Sequence, residues 1–554
     1  MWNFLTPERQ NPGQPQTGHR LGLLLLGLAG LGIFLFRLGT PGLMDPDEGR
    51  YAEIAREIWV LQDWLIPHLN FLPYLEKPPL VYWLTAFSFR VWGYTEWAAR
   101  LPVALSAWGG IFGAYYLGRA FWGTGPGFCG ALILTTSLGY MALGRILTLD
   151  MPLAFFLNLG VGLGYLALSR ERRELLPWAY LALALAVLTK GPVALVLAGL
   201  VWGGWALLAR RPWLRALWHP GGLLLLVGLS LPWFVGAAWR YPDFLRFFIW
   251  EQHFGRFLTA SFHHQQPFYY YVPVLFGLLL PWGWLLPWAL GSRRGDAPGD
   301  RLFLWVWAGV ILLFFTLSRG KLAPYILPAL LPLALLLGEA LHGLTERGRP
   351  YWQSRGLALS LGIWALSGWF LVGLYFWPPA FLAQPGAKLA ILSPYLPLGL
   401  IILALVPTAA LIWRRLAVLF LGALLLCALI PGGIEQVSKQ RSPREMGLVL
   451  KSHWQPGAAL IGYQLYSQGL SFYSGQVFHL LDFRTELDFG RSLDPATGLF
   501  FAGPEEMAAF ADSRPLSFFF LKEKAFPRLK RLLAGNFQSL ARYKDCLLVA
   551  YRGK

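Results

Sequence analysis

Long apolar blocks recur about a dozen times along this chain, and they constrain its fold more than any motif does. Leu21–Phe36, Gly221–Val235 and Leu357–Phe376 are examples. A run near 20 apolar residues is long enough to cross a bilayer as a helix. The 554 residues are 56% hydrophobic and only 14% charged, against roughly 25% charged in an average soluble protein. So few charges cannot cover a soluble globule of this size. A soluble enzyme, a disordered chain and a nucleic-acid-binding domain are excluded, and the expected fold class is a polytopic α-helical membrane protein.

About thirteen spans satisfy the ~20-residue criterion, near 20–38, 98–119, 125–142, 151–169, 176–189, 192–209, 221–239, 271–290, 302–317, 322–341, 356–376, 395–412 and 416–431. The segment 79–94 is an apolar competitor. Arg9 and Arg20 precede the first block as in a secretory signal, but no small-residue cleavage site follows, so it reads as a retained helix. Alternate connections are short and basic: Arg119; Arg170, Arg172 and Arg173; Arg210, Arg211 and Arg215; Arg293, Arg294 and Arg301; Arg347, Arg349 and Arg355; Arg414 and Arg415. Basic loops mark the cytoplasmic face, which accounts for much of the net charge of +18. An anionic lipid substrate is a second source for that excess.

The opposite face receives two long loops, about 39–97 and 240–270, and the C-terminus. The expected division is a transmembrane domain over 1–435 and a soluble outer α/β domain over 436–554. In the latter, Ala459–Tyr463, Gln476–Leu481 and Leu516–Leu521 read as strands, and Glu505–Ala511 and Phe526–Ala534 as helices. Cys129, Cys427 and Cys546 suggest neither a disulfide framework nor a zinc-thiolate motif.

The first outer loop carries chemistry. Met44-Asp-Pro-Asp-Glu-Gly-Arg-Tyr-Ala-Glu-Ile-Ala-Arg-Glu-Ile58 has Tyr51, Ile54, Ala55 and Ile58 at helical spacing, with Arg50, Glu53 and Glu57 on another face. It reads as an amphipathic helix at the membrane surface. Asp45 fits an N-cap, Glu48 its capping-box partner, and Asp47 a dipole complement. Three carboxylates in four residues exceed one cap's needs, and the surplus equally fits Asp47 or Glu48 as a functional acid. Next, Glu76 and Lys77 precede an apolar stretch. Lys77 fits either an interfacial snorkelling residue or a phosphate ligand.

Other outer connections add Asp150, which fits an N-cap as well as a site acid, then Lys190 within Thr189-Lys-Gly-Pro192, and Arg319, Lys321 and Tyr325. Cations placed against the positive-inside bias point to a bound anion. His263 and His264 follow Arg256, and with Glu76 they form a candidate set for a divalent metal such as zinc. Without a spacing motif, hydrogen bonding explains them equally.

Asp47-Glu-Gly-Arg-Tyr-Ala-Glu53, Glu76-Lys-Pro-Pro-Leu-Val-Tyr-Trp83, Leu188-Thr-Lys-Gly191 and Gly320-Lys-Leu-Ala-Pro-Tyr325 resemble the lipid A aminoarabinose transferases. These are membrane glycosyltransferases of the GT-C class related to protein O-mannosyltransferases. Pro267-Phe-Tyr-Tyr-Tyr-Val-Pro273 and Leu280-Pro-Trp282 also match. Gly49 departs from the Thr of some typical members, and Arg319 from a frequent Lys.

The resemblance implies a GT-C fold in the bacterial inner membrane, with its active site and C-terminus periplasmic. It implies transfer of 4-amino-4-deoxy-L-arabinose from undecaprenyl phosphate to a lipid A phosphate, the chemistry of polymyxin resistance, with no obligatory cofactor. In that reaction Asp47 would orient or deprotonate the acceptor. Arg50, Lys77 and Lys321 would stabilise the departing phosphate. Tyr74 and Tyr325 would donate to phosphate oxygens, and Asp150 would meet the sugar. Tyr82, Lys190 and Arg256 join the expected substrate-binding set. A protein hydroxyl or another glycolipid is the alternative acceptor. A transporter is the alternative class, disfavoured because the acids cluster at one face and no repeat is evident.

Overall fold

The computed structural model describes residues 16–210, 217–255, 265–291, 298–346, 354–378, 392, 395–483, 486–494 and 497–553. Each apolar block expected from the sequence is helical within those bounds. Among the described residues seven helices are long and apolar enough to cross a membrane: Asp150–Ser169, Pro220–Arg240, Gly299–Leu317, Ala323–Leu344, Arg355–Phe376, Tyr395–Trp413 and Ala417–Arg441. The pair Phe268–Leu278 and Trp282–Gly291 makes an eighth if counted as one span bent by 109°. The competitor segment 79–94 is the helix Leu80–Trp92 of 13 residues, about 20 Å at 1.5 Å per residue, which is short of a bilayer core.

The chain divides into two compact units. The first comprises residues 1–38, 102–235 and 245–434 and is helical. Asp150–Ser169 and Ala323–Leu344 are mostly enclosed by protein, while Pro220–Arg240 and Tyr395–Trp413 expose most of their apolar surface, as helices facing lipid do. Helices Thr124–Thr135 and Leu330–Glu346 approach through glycine: a Cβ on Gly338 would collide with the Gly130 backbone. Membrane helices without a hydrophobic drive between them associate through such small residues.

The second unit comprises residues 39–101, 236–244 and 435–554, so the first outer loop groups with the C-terminal segment. A hairpin, β1 (His68–Leu69) with β2 (Leu72–Pro73), lies in the loop. The C-terminal segment forms a six-stranded mixed sheet of β3 (Ala459–Tyr463), β4 (Phe478–Leu481), β5 (Phe500–Phe501), β6 (Ser517–Lys522), β7 (Asn536–Tyr543) and β8 (Cys546–Arg552). Its order is β5-β4-β3-β6-β8-β7. Strands β3 to β6 pair in parallel, and β8 closes antiparallel on β6 and β7. Val549, Phe519, Ile461 and Leu529 lie in its buried core. The expected strands and helices stand within a few residues of their predicted bounds; β5, β7 and β8 were not predicted.

Cys129, Cys427 and Cys546 are free thiols.

Candidate functional site

In the second unit the helix Asp47–Leu61 arranges the polar residues. Its apolar face is buried as the spacing predicts, with Ala52, Ile54, Ala55 and Ile58 all enclosed. Its polar face departs from the amphipathic expectation, because Glu53, Arg56 and Glu57 are buried too. Burial is tolerated there because the charges are matched internally. Arg56 holds both Glu53 oxygens at 2.7 Å, and the Glu57 carboxyl accepts from the Phe71 N–H at 3.0 Å. Desolvation, together with the neighbouring Glu53 charge, pushes Glu57 well above the usual carboxyl range.

Three acids open this helix, and each meets a different fate. Asp45 makes no cap contact on the helix; it accepts instead from the Ser467 hydroxyl at 2.5 Å and the Gly469 N–H at 2.8 Å. Its burial pushes it up to about 6. Gly469 comes so close that a Cβ on Gly49 would stand 2.6 Å from its nitrogen, which accounts for glycine at this position. Glu48 accepts from the Met44 N–H at 3.0 Å, but no capping box forms, since Pro46 is the N-cap. It also binds Arg100 at 2.7 and 2.8 Å in a fully enclosed bidentate pair. Asp47 alone of the three is exposed, 58% at its side chain, with Arg50 3.7 Å away.

Around Arg50 the predicted loop residues converge. Its guanidinium donates to Glu486 at 2.9 Å. Glu486 also accepts from Gln468, and burial raises its carboxyl above the usual range. Tyr74 donates to Glu76 at 3.3 Å, and Lys77 to the Glu76 carbonyl at 3.1 Å. The Tyr82 ring lies 5.8 Å from that of Tyr51. Arg50 Nε and Tyr82 Oη are buried here and have no hydrogen-bond partner among the described residues. Orphaned donors of this kind mark a place where a polar ligand completes the network. Glu486 lies 436 residues from Arg50 in sequence, and no local signal pointed to it.

The first unit assembles a second group. Asp150 begins the helix Asp150–Ser169 and Lys190 ends Leu176–Lys190, where Gly191 turns the chain at φ +88°. Their ion pair is 2.5 Å long and half-buried. The Lys190 ammonium sits 4.5 Å over the Tyr325 ring, a cation–π arrangement. Tyr271 donates to the Leu322 carbonyl at 3.2 Å. Lys321 is buried and donates to the Ser318 carbonyl at 2.5 Å; desolvation pulls its ammonium below the usual range. The group is cationic and aromatic with one carboxylate, a composition suited to an anionic headgroup next to a sugar.

Arg256, His263 and His264 lie outside the described residues. Among the described residues no cluster of three His, Cys, Asp or Glu side chains could hold a metal ion.

Residues 76–234 match the dolichyl-phosphate-mannose-protein mannosyltransferase family. The chain is 34% identical to undecaprenyl phosphate-α-4-amino-4-deoxy-L-arabinose arabinosyl transferase 2 of Pseudomonas fluorescens (strain Pf0-1), over 63% of this chain and 65% of that protein. It is 36% identical to the corresponding transferase of Pseudomonas aeruginosa (strain LESB58), over 65% of this chain and 67% of that one. The matched stretch thus spans just under two thirds of the first of these relatives. In structure the chain resembles ArnT from Cupriavidus metallidurans, solved bound to undecaprenyl phosphate, with a TM-score of 0.83, 26% identity, and coverage of 95% of this chain and 97% of that one. By sequence and by fold, the chain belongs to the undecaprenyl-phosphate aminoarabinose arabinosyltransferase family, multi-pass membrane proteins of GT-C architecture.

Proposed function

We propose that this protein transfers 4-amino-4-deoxy-L-arabinose from undecaprenyl phosphate to a lipid A phosphate, at the periplasmic face of the bacterial inner membrane. The observation that carries the reading is the likeness to ArnT over nearly its whole length, in a form that holds undecaprenyl phosphate. The transmembrane domain is proposed to have thirteen spans, the shorter helices His19–Leu35, Thr124–Thr135 and Val193–Leu208 among them.

In the reaction the bond from the anomeric carbon to the donor phosphate oxygen breaks, and one forms to the acceptor oxygen. The departing phosphate gains charge that cations stabilise electrostatically; Arg50 and Lys77 are the candidates in the second unit, and Lys321 is the candidate in the first. Lys190 supplies a further positive charge. Tyr74 and Tyr325 donate to phosphate oxygens. Tyr82, whose hydroxyl has no partner, is free to donate to substrate. Asp47 orients the acceptor; an ionised phosphate acceptor needs no strong base. Asp150 meets the amino group of the sugar, in exchange for part of its contact with Lys190. Glu48 is assigned to structure rather than chemistry, because both its oxygens are committed to Arg100.

The match to the protein mannosyltransferase family favours one second reading, a protein hydroxyl as acceptor. Mass spectrometry of lipid A from cells with and without the gene separates the two. A mass increase of one pentosamine on lipid A is expected. No change in lipid A, with sugar on membrane proteins instead, would overturn the assignment.

A further inference from the structure

The last apolar helix, Ala417–Arg441, runs well past its apolar block. From Glu435 onward it belongs to the second unit. Those last residues cover about 9 Å at 1.5 Å per residue, close to the depth of the polar headgroup layer on one side of a bilayer. Lys439 and Arg441 are exposed there.

The soluble sheet brings more cations to the same place. The Tyr543 hydroxyl donates to the Gln440 carbonyl at 2.8 Å, which fixes the end of β7 against the end of that helix. Lys522 pairs across β6 and β8 with Cys546, and Tyr543 pairs with the same residue from β7. Lys522, Arg542 and Lys544 therefore share one end of the sheet. The Glu523 N–H donates to the Asp545 carbonyl at 2.7 Å, and Arg542 contacts Glu523 at 2.6 Å, which draws Lys524 into the same edge.

Lys439, Arg441, Lys522, Lys524, Arg542 and Lys544 are all exposed. The exposed acids among them are Glu523 and Asp545, which leaves an excess of four positive charges among the exposed side chains; the half-buried Asp45, whose N–H donates to the Arg441 carbonyl at 2.9 Å, lies beside them. Nothing in the folding of the sheet needs these charges, since its core is apolar throughout. We propose that this basic edge, where the last apolar helix meets the end of the sheet, binds the phosphate headgroups of anionic phospholipid. Polybasic segments at the membrane surface are held in this way by lipid charge. The contact would fix the soluble sheet to the bilayer independently of the transferase chemistry, because it uses none of the residues assigned to that chemistry.

The test uses the full-length protein in nanodiscs, with a fluorophore on Ser539→Cys, an exposed position on β7 outside the patch. Quenching by a nitroxide on the headgroup of phosphatidylglycerol is compared with quenching by the same group on phosphatidylcholine. The anionic quencher is expected to be at least twofold more effective in 50 mM salt. The preference should vanish in Lys522→Gln/Arg542→Gln/Lys544→Gln and survive in Arg542→Lys, which keeps the charge. Equal quenching by the two lipids, or a preference unchanged in the triple variant, would overturn the proposal. If the triple variant loses its fold, the wild-type preference must still disappear between 50 mM and 1 M salt; persistence would also overturn it.

Discussion

Replacing Arg100 by Leu should loosen the whole first outer loop. The guanidinium has no solvent exposure. It donates to both oxygens of Glu48, to the Pro41 carbonyl at 2.6 Å and to the Gly42 carbonyl at 3.0 Å. Its loss leaves a carboxylate and two carbonyls enclosed without their donor. Breaking a buried pair by deleting one partner costs about 3–5 kcal/mol, most of it the charge left behind. At 1.36 kcal/mol per decade, local opening becomes about 150- to 5,000-fold more frequent. Unfolding of a many-helix, two-unit chain is not two-state, so the readout is amide hydrogen exchange across Asp47–Leu61 in the purified full-length protein. Glu48→Leu/Arg100→Leu should recover at least half of the loss, since no charge is then buried alone. Exchange in Arg100→Leu within tenfold of wild type would refute the reasoning. So would a double variant as loose as the single one. The same pair tests the role of Glu48: Glu48→Gln should keep transfer per folded molecule within about twofold.

Asp47→Asn is expected to lower transfer by about 10²-fold, the scale of lost positioning, with unchanged folding, measured with lipid-linked sugar; near-normal turnover would remove Asp47 from the chemistry. Lys77→Ala should raise the donor KM about tenfold or more, the scale of one charged hydrogen bond, whereas an unchanged donor dependence would identify it as a snorkelling residue. Burial pushes the Asp45 carboxyl up to about 6 in the fold, against 3.8 for an unperturbed aspartate. The folded state therefore binds the extra proton between these values, and stability falls as pH rises from about 4 to 6, by about 3 kcal/mol at 1.36 kcal/mol per unit. Asp45→Asn should remove that part of the pH dependence in hydrogen exchange at the first outer loop, and an identical pH profile would show that Asp45 is not its source.

The sequence makes the helices legible because lipid-facing and helix-facing surfaces are both apolar, so hydropathy marks a span whichever way it points. It makes strands β3, β4 and β6 legible because each is a short, nearly continuous apolar run within a charged segment. It hides β7, whose exposed residues and bulge after Ser539 break any run. The loop motifs single out Arg50, Tyr74 and Glu76, which lie in the same unit, yet the same reading cannot separate Asp47 from Glu48. Their difference is made by Arg100, a residue 52 positions from Glu48 that sits in no motif. Burial of the polar face of Asp47–Leu61 is hidden for the same reason, since hydrophobic spacing reports only the apolar face of a helix.

The cations that the sequence singles out as phosphate ligands acquire a further constraint from the structure. Arg50 is held by Glu486, Lys190 by Asp150, Lys77 by the Glu76 carbonyl and Lys321 by the Ser318 carbonyl. A buried cation left alone is expensive, and each of these has an internal acceptor. An arriving phosphate must then compete with those acceptors, and its net gain is a difference between two charged contacts rather than the whole of one. The difference is smallest where the acceptor is a carboxylate, at Arg50 and Lys190, and largest where it is a carbonyl, at Lys77 and Lys321. The carbonyl-held lysines should therefore contribute most to donor affinity. Under the proposed function the carboxylate-held pairs should contribute more to orientation, because each presents a cation beside an anion.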